Sequence, residues 1–365
     1  MSVADRLDAF QRAHSGAAFP LAVVYKFIDD QGSYLSALIT YYAFLGLFPL
    51  LLLASSILGF VLHNDPHLQH QILNSALSQF PVIGDQLGSP GGLQGSRTAV
   101  VVGILGSLYG ALGVANATQN AMNIAWGVPR NKRPNPIVGR LRSMLLLLTA
   151  GVGILATTLL SSLGSEVDAF NTQIGTGLQV IRSVAAILVN AGVFVLLYRL
   201  ATTHPHSLKR AVPGALFAAV TWQLLQLVGT AYVGHVIKHA TVTNSVFALV
   251  LGLIAWIYLG AVIVVLGVEI NVVKAHRLYP RALMTPFTDN VDLTAGDQRA
   301  YSDYAEATRS KDFEQVDVSF EHDGQYATAK RRARRDNPGS DGADDPLPPS
   351  TKDTETRTEK PHKHY

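Results

Sequence analysis

The 365-residue chain contains no cysteine. Disulfide bonds, thiolate-bound metals and cysteine nucleophiles are therefore excluded. The chain also carries few charges, because only 15% of its residues are Asp, Glu, Lys or Arg. Its formal net charge of +3 is too small to indicate a nucleic-acid-binding protein, so we expect no nucleic-acid partner.

The common catalytic motifs are absent as well. No GxGxxG, Walker, HExxH or GxSxG pattern occurs in the sequence. Hydrolysis of RNA would need acidic residues and histidines clustered around a metal beside a basic groove. The long apolar segments contain a single acidic residue, Glu269. We therefore expect a protein that is not an enzyme, with no catalytic residues and no cofactor.

Apolar residues, in contrast, make up 48% of the chain. Several windows longer than the roughly 18–20 residues that cross a bilayer are nearly free of charge. The N-terminus shows no cleavable signal, so the first apolar run is expected to remain in the membrane. The sequence thus predicts an all-α, polytopic membrane bundle. Its six transmembrane helices are expected at about 34–62, 97–120, 143–165, 179–198, 211–236 and 245–273.

The distribution of Lys and Arg predicts the orientation of these spans. Fourteen of these residues flank the spans on one side of the membrane and three on the other. Because Lys and Arg accumulate in cytoplasmic loops, both termini are expected in the cytoplasm. The sequence therefore predicts a multi-pass protein of the cell membrane, or inner membrane, with the lipid bilayer as its first partner.

Three segments outside the spans have patterns of their own. Residues 1–33 predict a cytoplasmic arm with an interfacial helix, since Val23, Val24, Phe27 and Ile28 have amphipathic spacing. Residues 63–96 predict a short helix on the outer surface of the bilayer. The charged, Pro-rich residues 277–365 predict a cytoplasmic and largely disordered tail. Its basic run at 330–335 is either a solvated cluster or a contact to anionic headgroups.

The second predicted span carries a stripe of small residues on one face, with four glycines at its centre. These packing residues are Gly103, Gly106, Gly110 and Gly113. Gly106 and Gly110 have the GxxxG spacing that lets two helix backbones approach closely in a membrane. The stripe serves either a homodimer or packing within one bundle. In the first span, Pro49 predicts a bend, because proline removes one helical hydrogen bond.

Polar residues gather near the predicted cytoplasmic end of the spans. The asparagines Asn116, Asn120, Asn123 and Asn271 either line a polar cavity or bridge neighbouring helices. Glu269 has three interpretations. It is a proton-coupling carboxylate, or it pairs with Arg142 across the cytoplasmic mouth, or it lies beyond the hydrocarbon edge and extends to water.

Five histidines form a weak metal-binding pattern on the predicted outer side. They are His63, His67, His70, His235 and His239. Neutral imidazoles at such spacings bind zinc in other proteins. Asp65 lies near three of them, but loop histidines are common and no pattern of residues that would orient the ligands is visible, so we expect no metal site.

Four segments, in this order, resemble the YihY/BrkB family of bacterial inner-membrane proteins, some of which are labelled ribonuclease BN. They are ALITYYAFLGLFPLLL (37–52), AMNIAWGVP (121–129), VPGALFAAVTW (212–222) and LGVEINVV (266–273). The resemblance covers residues 26–275. Gly46 stands where the family usually has a serine, so no role of that hydroxyl carries over. Gly267-Val268-Glu269 replaces the usual Gly-Ala-Glu and keeps the acid.

The resemblance implies six helices, an inner-membrane location and a role in export or lipid handling. With the polar residues at one end of an apolar bundle, it predicts a transporter or flippase-like exporter. The expected substrate is an amphiphilic or anionic molecule, such as a lipid or a lipid-linked compound. The alternative is a scaffold or regulator that does not transport and acts through its cytoplasmic tail.

Overall fold

The computed structural model of the protein describes residues 3–61, 97–133, 135, 137–149, 151–153, 175–203, 207–236, 242–285, 287–288, 291–322 and 325–328. Within these residues the helices are α1 (Val3–Ala13), α2 (Ser15–Asp29), α3 (Gly32–Val61), α4 (Arg97–Ala125), α5 (137–149 and 151–153), α6 (Gly175–Ala201), α7 (Leu208–Val236), α8 (Val242–His276) and α9 (Ala295–Ala307). A 3-10 turn lies at Arg130–Lys132, and β1 (Ser319–His322) pairs antiparallel with β2 (Gln325–Thr328).

Five of the described helices, α3, α4, α6, α7 and α8, are long and apolar enough to cross a membrane. Their outer faces expose many large apolar side chains, as expected where the surrounding solvent is lipid. The prediction of an all-α membrane bundle is confirmed. Most of the predicted third span, 143–165, and the predicted outer helix within 63–96 lie outside the described residues, so the sixth crossing remains a prediction.

The glycine stripe of α4 packs against α3. The backbones meet most closely where Gly110 faces Gly46, since a Cβ built on Gly46 would lie 2.9 Å from the Gly110 Cα. One turn away, Gly106 faces the ring of Pro49, and α3 continues as a helix through that proline. The stripe therefore packs within one chain. Of the two predicted arrangements, a homodimer or packing within one bundle, this contact is the second.

Helices α7 and α8 approach each other equally closely. Gly214 lies against the carbonyl of Gly267, and its N–H donates to Asn271 Oδ1 at 2.8 Å. Farther along the pair, the ring of Trp256 covers Gly229. Small residues on one helix thus leave room for backbone or aromatic atoms of the other, as in other membrane bundles.

One end of the bundle carries most of the polar contacts, and we call it the polar end. Here α3 and α7 begin and α4, α6 and α8 end. Asn123, near the end of α4, contacts Thr203, which follows α6, while Gly214 near the start of α7 contacts Asn271 near the end of α8. The chain therefore returns to this end after each described pair of helices.

The N-terminal arm packs against the bundle. Helix α2 packs along α8, with Val23 only 6% exposed and Lys26 only 3% exposed. Val24 and Ile28 face outward. A helix that lies alone in the interface would extend its lysine into water, whereas Lys26 is buried here, and the interfacial position of α2 stays a prediction. The physical reason for this burial is that the arm has partners on the bundle which its own amphipathic pattern does not reveal.

The predicted disorder of the tail is wrong for the described residues within 277–307. Residues 278–285 and α9 fold back over the polar end, and we call them together the cap. Ala282 and Ala300 are each 1% exposed. Thr294 begins α9 with a capping box, in which its side chain accepts from the Asp297 N–H and the Asp297 side chain accepts from the Thr294 N–H. The segment buries its apolar residues against the bundle, so it needs no core of its own.

Candidate functional site at the polar end

Three charged side chains meet at the polar end, and we call them the buried triad: Lys26 and Asp30 of the α2 region and Glu269 of α8. Lys26 and Asp30 are one helical turn apart and form an ion pair. The Lys26 Nζ lies 3.8 Å from Glu269 Oε2. Glu269 is 0% exposed, and neither of its oxygens accepts a hydrogen bond from any described residue.

The surroundings of Glu269 are apolar on its own helix. Val265, Val268, Val272 and Val273 of α8 are all buried. A carboxylate in such surroundings is costly unless a cation compensates it. The cation within 4.0 Å is Lys26, so the predicted pairing of Glu269 with Arg142 is wrong.

Two of the sequence-based interpretations of these residues therefore fail. The side chain of Glu269 does not extend to water, because it is completely buried. Arg142 Nη1 is buried without a hydrogen-bond partner among the described residues. The remaining interpretation of Glu269, as a coupling carboxylate, is taken up as a proposal below.

Arg281 fastens the cap beside the triad. Its Nε donates to Asp297 Oδ1 at 2.5 Å and its Nη2 to Asp29 Oδ2 at 3.2 Å. Both Arg281 and Asp297 are buried. Desolvation alone would lower the pKa of Arg281, but the hydrogen bond to Asp297 and the charge of Asp29 raise it. The guanidinium thus stays charged and joins α2 to α9.

Asp29 lies between this network and solvent. Its side chain is 21% exposed, whereas that of Asp30 is 2% exposed. Burial raises the pKa of Asp29, although the charge of Arg281 acts in the opposite direction. Asp29 is therefore a carboxylate at the edge of the polar end that takes up a proton more readily than an exposed aspartate.

A tyrosine of α9 covers the charged groups from the outside. The ring centroid of Tyr304 lies 4.8 Å from the Lys26 Nζ. Its hydroxyl is buried without a hydrogen-bond partner in the part of the chain that the structure describes. Burial, together with the charges of Asp30, Asp29 and Glu269, raises the pKa of Tyr304. The hydroxyl therefore stays protonated and is an available donor beside the triad.

The four predicted asparagines make different contacts in the structure. Asn123 Oδ1 accepts from the Thr203 N–H at 3.1 Å and from the Thr203 hydroxyl at 2.8 Å. Asn120 Oδ1 accepts from Arg133 Nη1 at 3.1 Å, and Asn271 holds the start of α7 as described above. Asn116 is exposed. Three of the four thus bridge segments, which is the second of the two roles predicted for them.

The weak metal pattern falls almost entirely outside the described residues. This applies to His63, His67, His70 and His239, and nothing is described of the His235 side chain. No group of three or more potential metal ligands occurs in the part of the chain that the structure covers.

The sequence did not reveal most of the site. Lys26 and Asp30 had a usable signal, since they are charged residues one turn apart beside an apolar helix. No sequence pattern pointed to Arg281, because its partner Asp29 is 252 residues away in the chain. Tyr304 was missed because it lies in the segment predicted as disordered.

Comparison with known proteins assigns the chain to a family. The family model for virulence factor BrkB matches residues 23–290. The chain belongs to this BrkB family. The matched region of this chain includes the buried triad and Arg281, whereas α9 lies beyond it.

Several curated proteins resemble this chain over most of their length. YfkH of Bacillus subtilis (strain 168), which carries the name of a ribonuclease-like protein, is 28% identical over 69% of this chain and 93% of its own. A UPF0761 membrane protein of Pseudoalteromonas translucida (strain TAC 125) is also 28% identical, over 67% and 81%. One from Vibrio vulnificus (strain YJ016) is 27% identical, over 75% and 87%. No solved structure matches. The protein is thus a multi-pass integral membrane protein of this family.

Replacing Asn123 by alanine is expected to loosen the contact between α4 and the segment after α6. The change leaves the Thr203 N–H and hydroxyl without their acceptor, which costs at most about 1–3 kcal/mol, because that range applies to a fully buried group and Thr203 is half-buried. Thermal unfolding of the detergent-solubilised protein measures the loss. The same replacement at exposed Asn116 is the control, and equal effects at both positions would contradict the bridging role.

Proposed function

We propose that the protein moves an amphiphilic or anionic molecule of the lipid class across the membrane, with Glu269 as the coupling group. The observation that carries the proposal is the complete burial of Glu269 beside Lys26, with both carboxylate oxygens free of hydrogen bonds from the described residues. Ionisable residues within membrane helices are costly and typically serve transport of ions or substrates.

The class of substrate follows from the surroundings of the site. The basic turn that contains Arg130, Lys132 and Arg133 lies after α4 and offers charge to an anionic headgroup. The exposed apolar faces of the bundle suit acyl chains. We place the polar end in the cytoplasm, because the excess of Lys and Arg flanks it, and we propose six spans with both termini on that side.

Lipid translocation in proteoliposomes tests the proposal. The probe is a phosphatidylglycerol labelled with nitrobenzoxadiazole, whose exposure to external dithionite reports its movement between leaflets. With Glu269→Gln, we expect the rate of translocation to fall about tenfold or more. A tenfold fall corresponds to about 1.4 kcal/mol of lost stabilisation in the rate-limiting state. Glu306→Gln, at an exposed position of α9, is the matched control. Equal rates in all three proteins would reject Glu269 as the coupling group.

Native mass spectrometry of the gently extracted protein identifies what it binds. A retained lipid or lipid-linked molecule supports transport and names the substrate class. A protein that carries only another polypeptide supports the scaffold alternative instead.

Truncation distinguishes the scaffold alternative further. The cap is packed on the bundle, so the cut is made after residue 318, which removes 319–365 and keeps α9. A transporter is expected to retain lipid translocation after this cut, whereas a scaffold that acts through its tail loses its cellular phenotype. We also propose that the protein does not cleave RNA, and degradation of RNA by the purified protein with Mg²⁺ would contradict this.

A further inference from the structure

We propose that the buried triad of Lys26, Asp30 and Glu269 is a binding site for one proton, which its two carboxylates share. This inference deepens the proposed function and rests on it where the proton is named as the coupling ion. The site itself stands on geometry alone: both carboxylates lie around one ammonium group, Asp30 in a direct ion pair and Glu269 Oε2 at 3.8 Å from Nζ.

The first argument is a count of charge. Two buried carboxylates face one buried ammonium, which leaves one negative charge uncompensated when both carboxylates are ionised. The side chains of Lys26, Asp30 and Glu269 are 4%, 2% and 0% exposed, so water does not screen that charge. Neutralisation by a proton is the usual response of a buried excess charge. One bound proton makes the triad neutral.

The second argument is that, among the described residues, no cation other than Lys26 lies within 4.0 Å of a carboxylate oxygen of Asp30 or Glu269. Helix α3 contains no charged residue, and the only one of α4, Arg97, lies at its opposite end. On α7, Lys209 and Arg210 are exposed. On the α2 side, Asp29 adds further negative charge near the triad, and Arg281 is already engaged by Asp29 and Asp297.

The third argument concerns hydrogen bonds. Glu269 has two oxygens without a donor among the described residues, so its ionised form lacks the bonds that stabilise a buried carboxylate. Tyr304 closes the site from the cap with its ring over Lys26. Asp29, adjacent to Asp30 and 21% exposed, gives the proton a carboxylate at the water-facing edge.

Infrared spectroscopy of the full-length protein in lipid tests the site. A protonated carboxyl group gives a C=O stretching band that ionised carboxylates lack, and the band shifts in deuterated buffer. We expect the wild-type protein at pH 7.5 to show a band that corresponds to one carboxyl group per triad. This readout does not depend on substrate or on access of a reagent.

Three variants give a pattern that a structural role would not produce. Glu269→Gln and Asp30→Asn each leave one carboxylate opposite Lys26, so each is expected to lose the band entirely. Lys26→Met removes the cation, so the band is expected to double. The matched control Glu306→Gln leaves the band unchanged, because that side chain is exposed.

Absence of the band in the wild-type protein overturns the inference. So does a band that persists in either Glu269→Gln or Asp30→Asn, because the proton would then not be shared. Failure of the proposed function is distinguishable from these results. If the variants show this pattern but the protein translocates no lipid, the proton site stands and the proposed transport fails. If the protein translocates lipid without the band, the proposed transport stands and the proton site fails.

Discussion

Replacement of Arg281 by methionine is expected to release the cap from the polar end. The change removes the cation from between Asp297 and Asp29 and leaves a buried carboxylate uncompensated. Breaking a buried ion pair in this way costs about 3–5 kcal/mol, more than a buried pair contributes when it is replaced as a whole. Asp297 also caps α9 through Thr294, so the loss is expected to extend to the start of that helix.

Hydrogen exchange measures this release directly. Amide exchange over α9 is expected to rise by roughly two orders of magnitude, while α4 and α8 keep their protection. Arg210→Met, at an exposed position, is the matched control. The double variant Arg281→Met/Asp297→Leu removes both charges and should restore part of the protection. Unchanged exchange in the single variant would show that the cap is held by apolar contacts alone.

Replacement of Gly110 by leucine is expected to separate α3 from α4. A Cβ at this position would overlap the Gly46 Cα, and the other atoms it meets belong to the backbone of α3. Backbone atoms cannot move aside as a flexible side chain does, so the whole helix must shift. Overpacking in a core typically costs about 1–3 kcal/mol, and we expect the upper part of this range or more.

Gly192→Leu provides the matched control for this prediction. Gly192 lies in α6, and a Cβ there meets no atom within 4 Å. The same residue change thus tests helix propensity and lipid exposure without the steric conflict. Fluorescence-detected size-exclusion chromatography after heating measures the stability of both variants. Similar stabilities would mean that the contact between α3 and α4 adapts.

The membrane helices were predictable because their signal is local. A bilayer requires about 20 apolar residues for each span, and that requirement is readable in any window of the sequence. The glycine stripe of α4 was predictable for a similar reason, since the spacing of small residues follows the helix period. The bounds of α3 and α7 agree with the predicted spans within a few residues.

The site at the polar end was only partly predictable because its contacts are between distant segments. Glu269 was found because an acid in an apolar window is conspicuous. One of its three interpretations paired it with Arg142, and none named Lys26, since the sequence does not state which flanking helix folds onto α8. Composition predicted disorder for the cap, but composition takes no account of burial against another part of the same chain.

The cap and the N-terminal arm have a consequence for biogenesis. The Arg281 carbonyl accepts from Gln11 Nε2 and its guanidinium binds Asp29, so each bond joins segments more than 250 residues apart. During synthesis the arm emerges first and finds these partners only after the last membrane helix has been inserted. A nascent chain that stops earlier keeps Asp29 and Lys26 without their C-terminal neighbours. Closure of the polar end thus requires that synthesis has passed α9.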